Sequence, residues 1–78
     1  HILLIDLDLG HETGWDLLHY IHSQWVGMRT IVVSQHPAEM FADQAIAAGA
    51  SGYVCKEWAT DQIVEAVRTV QGGGYFFG

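Results

Sequence analysis

The sequence predicts an α/β domain built on a parallel sheet, and three observations carry that prediction. Three short runs, Ile2 to Ile5, Ile31 to Val33 and Tyr53 to Cys55, are apolar without alternation, the pattern of strands buried on both faces. Segments with apolar residues at helical spacing follow each run. The resulting order of strand, helix, strand, helix, strand, helix implies right-handed crossovers, with helices covering both faces of the sheet.

The elements can be justified in order. After the first strand, Thr13 is a candidate helix cap with Asp16 three residues on, a weak capping box. That helix carries Trp15, Leu18, Ile21 and Trp25, or Leu17 and Ile21, on its apolar side. Pro37 suits the first turn of the second helix. Phe41, Ala45, Ile46 and Ala48 follow it, and Gly49 is placed to end the helix in a left-handed conformation. Thr60 or Asp61 can cap the third helix, whose apolar residues are Ile63, Val64, Val67 and Val70. The glycine run Gly72 to Gly74 stops it. Residues 1–72 read as the folded unit, and residues 73–78 as the start of a linker or carboxyl-terminal tail ending in aromatic residues.

Composition narrows the function. With 78 residues the chain is one small domain, and a domain near this size buries only about 60% of its unfolded surface. Half of the residues are hydrophobic and the net charge is −6. The basic residues Arg29, Lys56 and Arg68 are scattered, so no positive stripe is available for nucleic acid, and an anionic membrane surface would repel the chain. Cys55 has no internal disulfide partner, which points to a reducing cytoplasm. No apolar run approaches the roughly 20 residues of a membrane span, and no leader-like segment is visible. The chain opens at His1 directly inside an apolar run, as the middle of a longer protein would.

The first run poses a packing problem. It is apolar on both faces, which suits a central strand, and a three-stranded sheet has one central position. Strands laid side by side in chain order would leave this run as an exposed apolar edge, a pairing hazard. Further strands, or another chain, are expected beside it.

Ligands of an open parallel sheet sit beyond the carboxyl ends of its strands. There the three runs lead into Asp6, Ser34 and Lys56, a carboxylate, a hydroxyl and an ammonium on one rim. Each alone is an ordinary polar strand end; together they are chemically complementary. A hydrolase triad would need a His paired with Ser34, and the nearby His36 has no evident contact with it; the nucleophile-elbow motif is also missing. A dinucleotide site would need GxGxxG after the first strand, and "DLDLGHETG" lacks that spacing. A phosphoryl acceptor fits better. The carboxylate would be the nucleophile, the hydroxyl and ammonium would bind phosphoryl oxygens, and a hard divalent ion would screen the repulsion between carboxylate and incoming anion.

Three stretches, "LLIDLDLGHETGWDLL", "TIVVSQH" and "AGASGYVCKE", resemble signatures of the receiver domain of two-component response regulators, a CheY-like family. Ser34 and Lys56 stand 28 and 50 residues after Asp6, as that family spaces them. The likeness covers the second half of such a domain, and it is greatest to receivers that precede a LuxR-type helix-turn-helix. The resemblance implies a flavodoxin-like fold truncated to its last three βα units. By position it makes Asp6 the phosphoacceptor, Ser34 and Lys56 the residues that bind the phosphoryl group, and Tyr53 the aromatic switch whose ring swings inward on activation. It implies Mg²⁺ held by Asp6 and by the backbone carbonyl of Asp8, in a weak or incomplete site, because the family's acidic pair from the missing amino-terminal half is not here.

The resemblance further implies a sensor histidine kinase as phosphoryl donor, a cytoplasmic location, self-association as a homodimer, and a DNA-binding output domain in the parent protein. The chain would itself contact neither nucleic acid nor membrane, and it would not be an enzyme. The alternative is a pseudo-receiver that is never phosphorylated and serves as an interaction or dimerisation module. Gly10 and Glu57 stand where the family commonly has proline. His19 and His22, at i and i+3, have a spacing that can hold a metal, but they lack a third ligand and read as surface histidines. His36 reads as a loop residue, Cys55 as a buried strand residue, Glu12 as a solvated loop acid, and Trp15, Trp25 and Trp58 as packing or partner surface.

Overall fold

The three apolar runs pair in chain order. The computed structural model describes residues 1–7, 13–25 and 27–77, and the side chains of all these except 13, 14 and 58–60. Strands β1 (Ile2–Asp6), β2 (Arg29–Ser34) and β3 (Gly52–Cys55) are parallel neighbours. Helices α1 (Thr13–Gln24) and α2 (Ala38–Ala47) form two of the crossovers, and α3 (Ala59–Gln71) follows a single 3-10 turn over Lys56–Trp58. This is the flavodoxin-like α/β arrangement expected for three βα units, with one addition. Phe76–Phe77, inside the segment that reads as a tail, forms β4 and pairs in parallel with β3. The sheet order is β1-β2-β3-β4.

Alternation along β2 and β3 divides the core into two layers. Val32 and Tyr53 face one side of the sheet, where they pack with Leu18 and Ile21 of α1 and Ala45 of α2. Ile31 and Val54 face the other, against Ala66 and Val70 of α3. All four strand residues are fully buried. The two inner strands therefore have the two-sided burial that their unbroken apolar runs predict.

β1 does not. Its second neighbour is absent among the described residues, and Leu3 and Leu4, on opposite faces, are 37% and 47% exposed. Fully burying a leucine is worth about 1.5–3 kcal/mol, so this edge forfeits a large part of that twice. The edge expected from the sequence is thus present, with Ile5 the buried residue of β1's apolar run and Ile2 packed part-buried against the α3 layer.

Several local expectations shift by a residue or a face. Pro37 is the cap of α2 rather than a first-turn residue, with extended backbone (φ −68°, ψ 153°). There its missing N–H costs nothing and its carbonyl accepts from Met40 N–H at 3.0 Å. α3 starts at Ala59, so Thr60 and Asp61 fall inside its first turn instead of capping it. The 3-10 turn fused to its start has already reversed the chain. The cap assigned to Thr13 lies outside the described side chains. Trp25, Ile46 and Val64, placed on apolar helix faces by spacing, are each more than half exposed, because the sheet is too narrow to cover the whole stripe.

Gly49 ends α2 as expected, at φ +97°. A Cβ there would also collide with the His22 ring. Gly49→Ala should therefore cost about 1–2 kcal/mol for the left-handed backbone, on top of displacing His22. Urea unfolding should show a lowered midpoint at unchanged slope, and an unchanged midpoint would refute the account.

The end of α3 is held from outside. Arg29 Nη1 donates to the Val70 carbonyl at 2.6 Å, a cation set where the helix dipole is negative. The same carbonyl also accepts from Gly73 N–H at 3.0 Å. The chain then turns through Gly73 at φ +93°, and Gly74 N–H donates to the Thr69 carbonyl at 3.0 Å. These bonds aim the chain back along β3. Gly52 lets it come close: a Cβ at that position would lie 3.2 Å from the Phe76 carbonyl oxygen. Burying parts of two phenylalanines gains a few kcal/mol at most, against about 1–2 kcal/mol for each backbone residue ordered, so β4 is held by a small margin.

Candidate functional site

The strand register builds a stepped rim. Asp6 pairs with Val33, and Val33 with Val54. Ser34 therefore lies one residue beyond the level of Asp6, and Lys56 two residues beyond. Asp6 and Lys56 stand on strands separated by β2, a gap of about 9–10 Å at the usual strand spacing. A long flexible cation can close that gap. Lys56 Nζ reaches Asp6 Oδ2 at 2.9 Å, with the two side chains 37% and 30% exposed. A pair that open to water adds only about 0–1 kcal/mol to stability. What the pair does is hold an ammonium against the one carboxylate at the strand end.

Ser34 sits between them, fully buried. Its Oγ accepts a hydrogen bond from the His36 N–H at 3.1 Å. This orients the hydroxyl from the chain segment just beyond β2. The carbonyl of the same His36 accepts from the Tyr53 hydroxyl at 2.9 Å, and the His36 ring packs edge-on against Phe41, with centroids 5.4 Å apart. His36 is the exposed loop residue the sequence predicts, and from that loop its backbone links the buried serine to the buried tyrosine. The link has no signature in residue type, because both contacts use main-chain groups.

Tyr53 is fully buried. Its ring belongs to the α1–α2 layer of the core and its hydroxyl ends at the β2–α2 segment. Cys55 is buried beside it, with Sγ 3.7 Å from the Gln35 carbonyl. Asp8, Gly10 and Glu12 lie outside the described residues, as does the Trp58 side chain. His19 and His22 are both exposed, and no cluster of three or more metal-ligating side chains occurs among the described residues. Asp6 itself offers one hard carboxylate at an open rim. Mg²⁺ is usually bound through one or two carboxylates with waters and phosphoryl oxygens completing its shell. The donor chemistry of Asp6 fits one such ligand.

Chemically the rim can do one thing well. A carboxylate at the end of a buried strand can attack an electrophile. An ammonium within hydrogen-bond distance and a buried hydroxyl can take up charge that forms on the group it captures. No helix among the described residues is long and apolar enough to cross a membrane.

Comparison with known proteins agrees with this geometry. The family model described as "Response regulator receiver domain" matches residues 1–68. The chain is 30% identical over 76 residues to transcriptional regulatory protein MctR of Rhizobium johnstonii, covering 97% of this chain and 36% of that protein. It is 33% identical over 75 residues to transcriptional regulatory protein UhpA of Salmonella typhimurium, covering 96% and 37%. Against transcriptional regulatory protein DegU of Brevibacillus brevis the identity is 31% over 75 residues, covering 95% and 32%. The chain thus spans about a third of the length of the curated relatives it matches.

Proposed function

The chain belongs to the response regulator receiver domain family, and on that premise we propose that it accepts a phosphoryl group on Asp6 and passes the event to an output domain through Tyr53. The observation that supports this reading most is the Asp6–Lys56 contact at 2.9 Å beside buried Ser34. It places a nucleophile, a cation and a hydroxyl within one small rim.

In the proposed step an Asp6 carboxylate oxygen forms a bond to phosphorus as the bond from phosphorus to the donor's leaving atom breaks. That atom is a histidine nitrogen of a sensor kinase, or an acyl oxygen of a small-molecule donor. The electron pair of the broken bond stays with the leaving group, and Asp6 becomes an acyl phosphate. Lys56 exchanges its contact with the carboxylate for one with a phosphoryl oxygen, and the Ser34 hydroxyl donates to another. Mg²⁺ bound at Asp6 and the Asp8 carbonyl, with acids from a preceding segment, would screen the charge of donor and acceptor. The chain is a stoichiometric acceptor and does not turn over as an enzyme. The Ser34 hydroxyl, His36 backbone and Tyr53 hydroxyl form the connection from the acceptor to the core, so a charge event at Asp6 can bias a two-state element. The relatives are named as transcriptional regulatory proteins, which supports a cytoplasmic parent with a DNA-binding output domain.

The test is incubation with acetyl phosphate and Mg²⁺, read by intact mass, with beryllofluoride and tyrosine fluorescence as a second readout. A phosphoryl adduct that forms with Mg²⁺ and fails to form when a chelator is present from the start is the expected result. Unchanged mass and fluorescence, in a setting where a longer parent protein responds, would show that these residues do not work as a receiver by themselves.

The exposed edge at Leu3 and Leu4 favours one second reading, a module that is not phosphorylated and self-associates through β1. It predicts a dimer at micromolar concentration in light scattering; a monodisperse monomer would remove it.

A further inference from the structure

We propose that β4 is a detachable strand whose docking on β3 is coupled to the inward seating of Tyr53, with Phe77 as the residue that positions the switch. The inference rests on the receiver reading for its biological meaning, but its physical basis is separate.

The register puts Phe77 directly beside Tyr53. Partners in adjacent strands point to the same face at a separation that brings their side chains into contact. Both rings belong to the α1–α2 layer, where Phe77 packs against the buried group that contains Tyr53. Phe76 faces the opposite layer and packs with Val54 and Val70. One residue therefore braces the switch and the other anchors the strand. The strand is only two residues long. Beyond the two ladder pairs with β3, it is tied by Phe76 N–H to the Ser51 carbonyl at 3.0 Å. Both phenylalanines are half-buried, and Phe77 lines an open groove of about 590 Å³ with Gln35, Ala38, Glu39, Cys55 and Glu57. Release of the strand therefore uncovers only the side of the core that Phe76 and Phe77 pack against.

The consequence follows from shared packing. A ring at position 77 closes the side of the pocket that holds the Tyr53 ring, and an inward Tyr53 gives that ring a surface to pack on. Docked β4 and inward Tyr53 favour one another, and by reciprocity the loss of either weakens the other by the same factor. The chain beyond α3 would then be pinned when Tyr53 is inward and free when it is outward.

The experiment uses the 78-residue chain with 3-fluorotyrosine, read by fluorine NMR, together with amide exchange. Phe77→Ala is expected to move the Tyr53 resonance toward a solvent-exposed position and to speed exchange at Phe76 at least tenfold, while Val67 and Val70 amides in α3 are unchanged. Phe76→Pro removes the N–H donated to Ser51, releases the strand with the Phe77 ring intact, and should give the same Tyr53 shift. If Phe76 exchange speeds up in Phe77→Ala while the Tyr53 resonance stays put in both variants, the strand frays without coupling and the proposal fails. If Phe76 exchange is unchanged in Phe77→Ala, β4 is not detachable and the proposal fails. Beryllofluoride with Mg²⁺ separates the two readings. A wild-type Tyr53 resonance that ignores it counts against phosphoryl acceptance, while the variants still decide the coupling.

Discussion

Asp6→Asn should reduce phosphoryl uptake from acetyl phosphate by at least about a hundredfold, since an amide is a far weaker nucleophile than a carboxylate. The same change should barely alter stability. The contact it removes is an ion pair at 2.9 Å whose side chains are 37% and 30% exposed, worth about 0–1 kcal/mol. The combination is diagnostic: chemistry lost, urea midpoint nearly unchanged. Intact mass after incubation with donor and Mg²⁺ gives the first quantity and urea unfolding gives the second. A phosphoryl adduct of full size on the Asn variant would move the acceptor elsewhere, with Asp8 the next carboxylate along the chain. A large loss of stability would mean that the pair matters to the fold more than its exposure implies.

Tyr53→Ala should have the largest effect on the fold. The ring is fully buried between the sheet and the α1–α2 layer, and deleting a buried aromatic side chain costs about 3–5 kcal/mol. Stability scales at roughly 0.05–0.15 kcal/mol per residue, so a domain this small can lose most of what it has. Tyr53→Phe keeps the ring and loses the hydroxyl with its bond to the His36 carbonyl, a change of about 0.5–1.5 kcal/mol for that bond. Denaturant curves of the two variants should therefore differ by several kcal/mol. Similar losses in both would shift the weight from the ring to the hydroxyl bond and would make the His36 link the main tie. Tyr53→Phe is the variant suited to asking what the hydroxyl does in signalling, because it should remain folded.

Much of this could be read along the chain. The strands were legible because unbroken apolar runs such as "IVV" and "YVC" have few other uses in a chain this small. The helix ends at Gly49 and in the glycine run after Gln71 were legible because positive φ is tolerated by few other residues; Gly49 and Gly73 adopt it. The rim of Asp6, Ser34 and Lys56 was legible for a topological reason. Parallel strands put every carboxyl end on the same side, so the residue following each apolar run must arrive there.

Three features were not legible, and each depends on contacts between distant segments. The aromatic tail gave no sign of becoming a strand, since two residues carry no periodicity; β4 exists because the turn at Gly73 and the missing side chain at Gly52 let it approach β3. The role of His36 was hidden because its backbone, not its ring, meets Ser34 and Tyr53. The exposure of Trp25, Ile46 and Val64 could not be foreseen from helical spacing, which marks a stripe but not the width of the sheet that covers it.

By itself, then, the sequence determined which segments become strands and helices, and which polar groups reach the working rim, because periodicity and parallel topology are local or chain-order properties. Only the tertiary structure decided that Lys56 spans two strands to Asp6, that Tyr53 lies inward on the His36 carbonyl, and that along the edge strand Ile5 is buried while Leu3 and Leu4 stay partly exposed. Those outcomes depend on register, side-chain reach and the number of neighbouring strands. They are fixed when separate elements pack together.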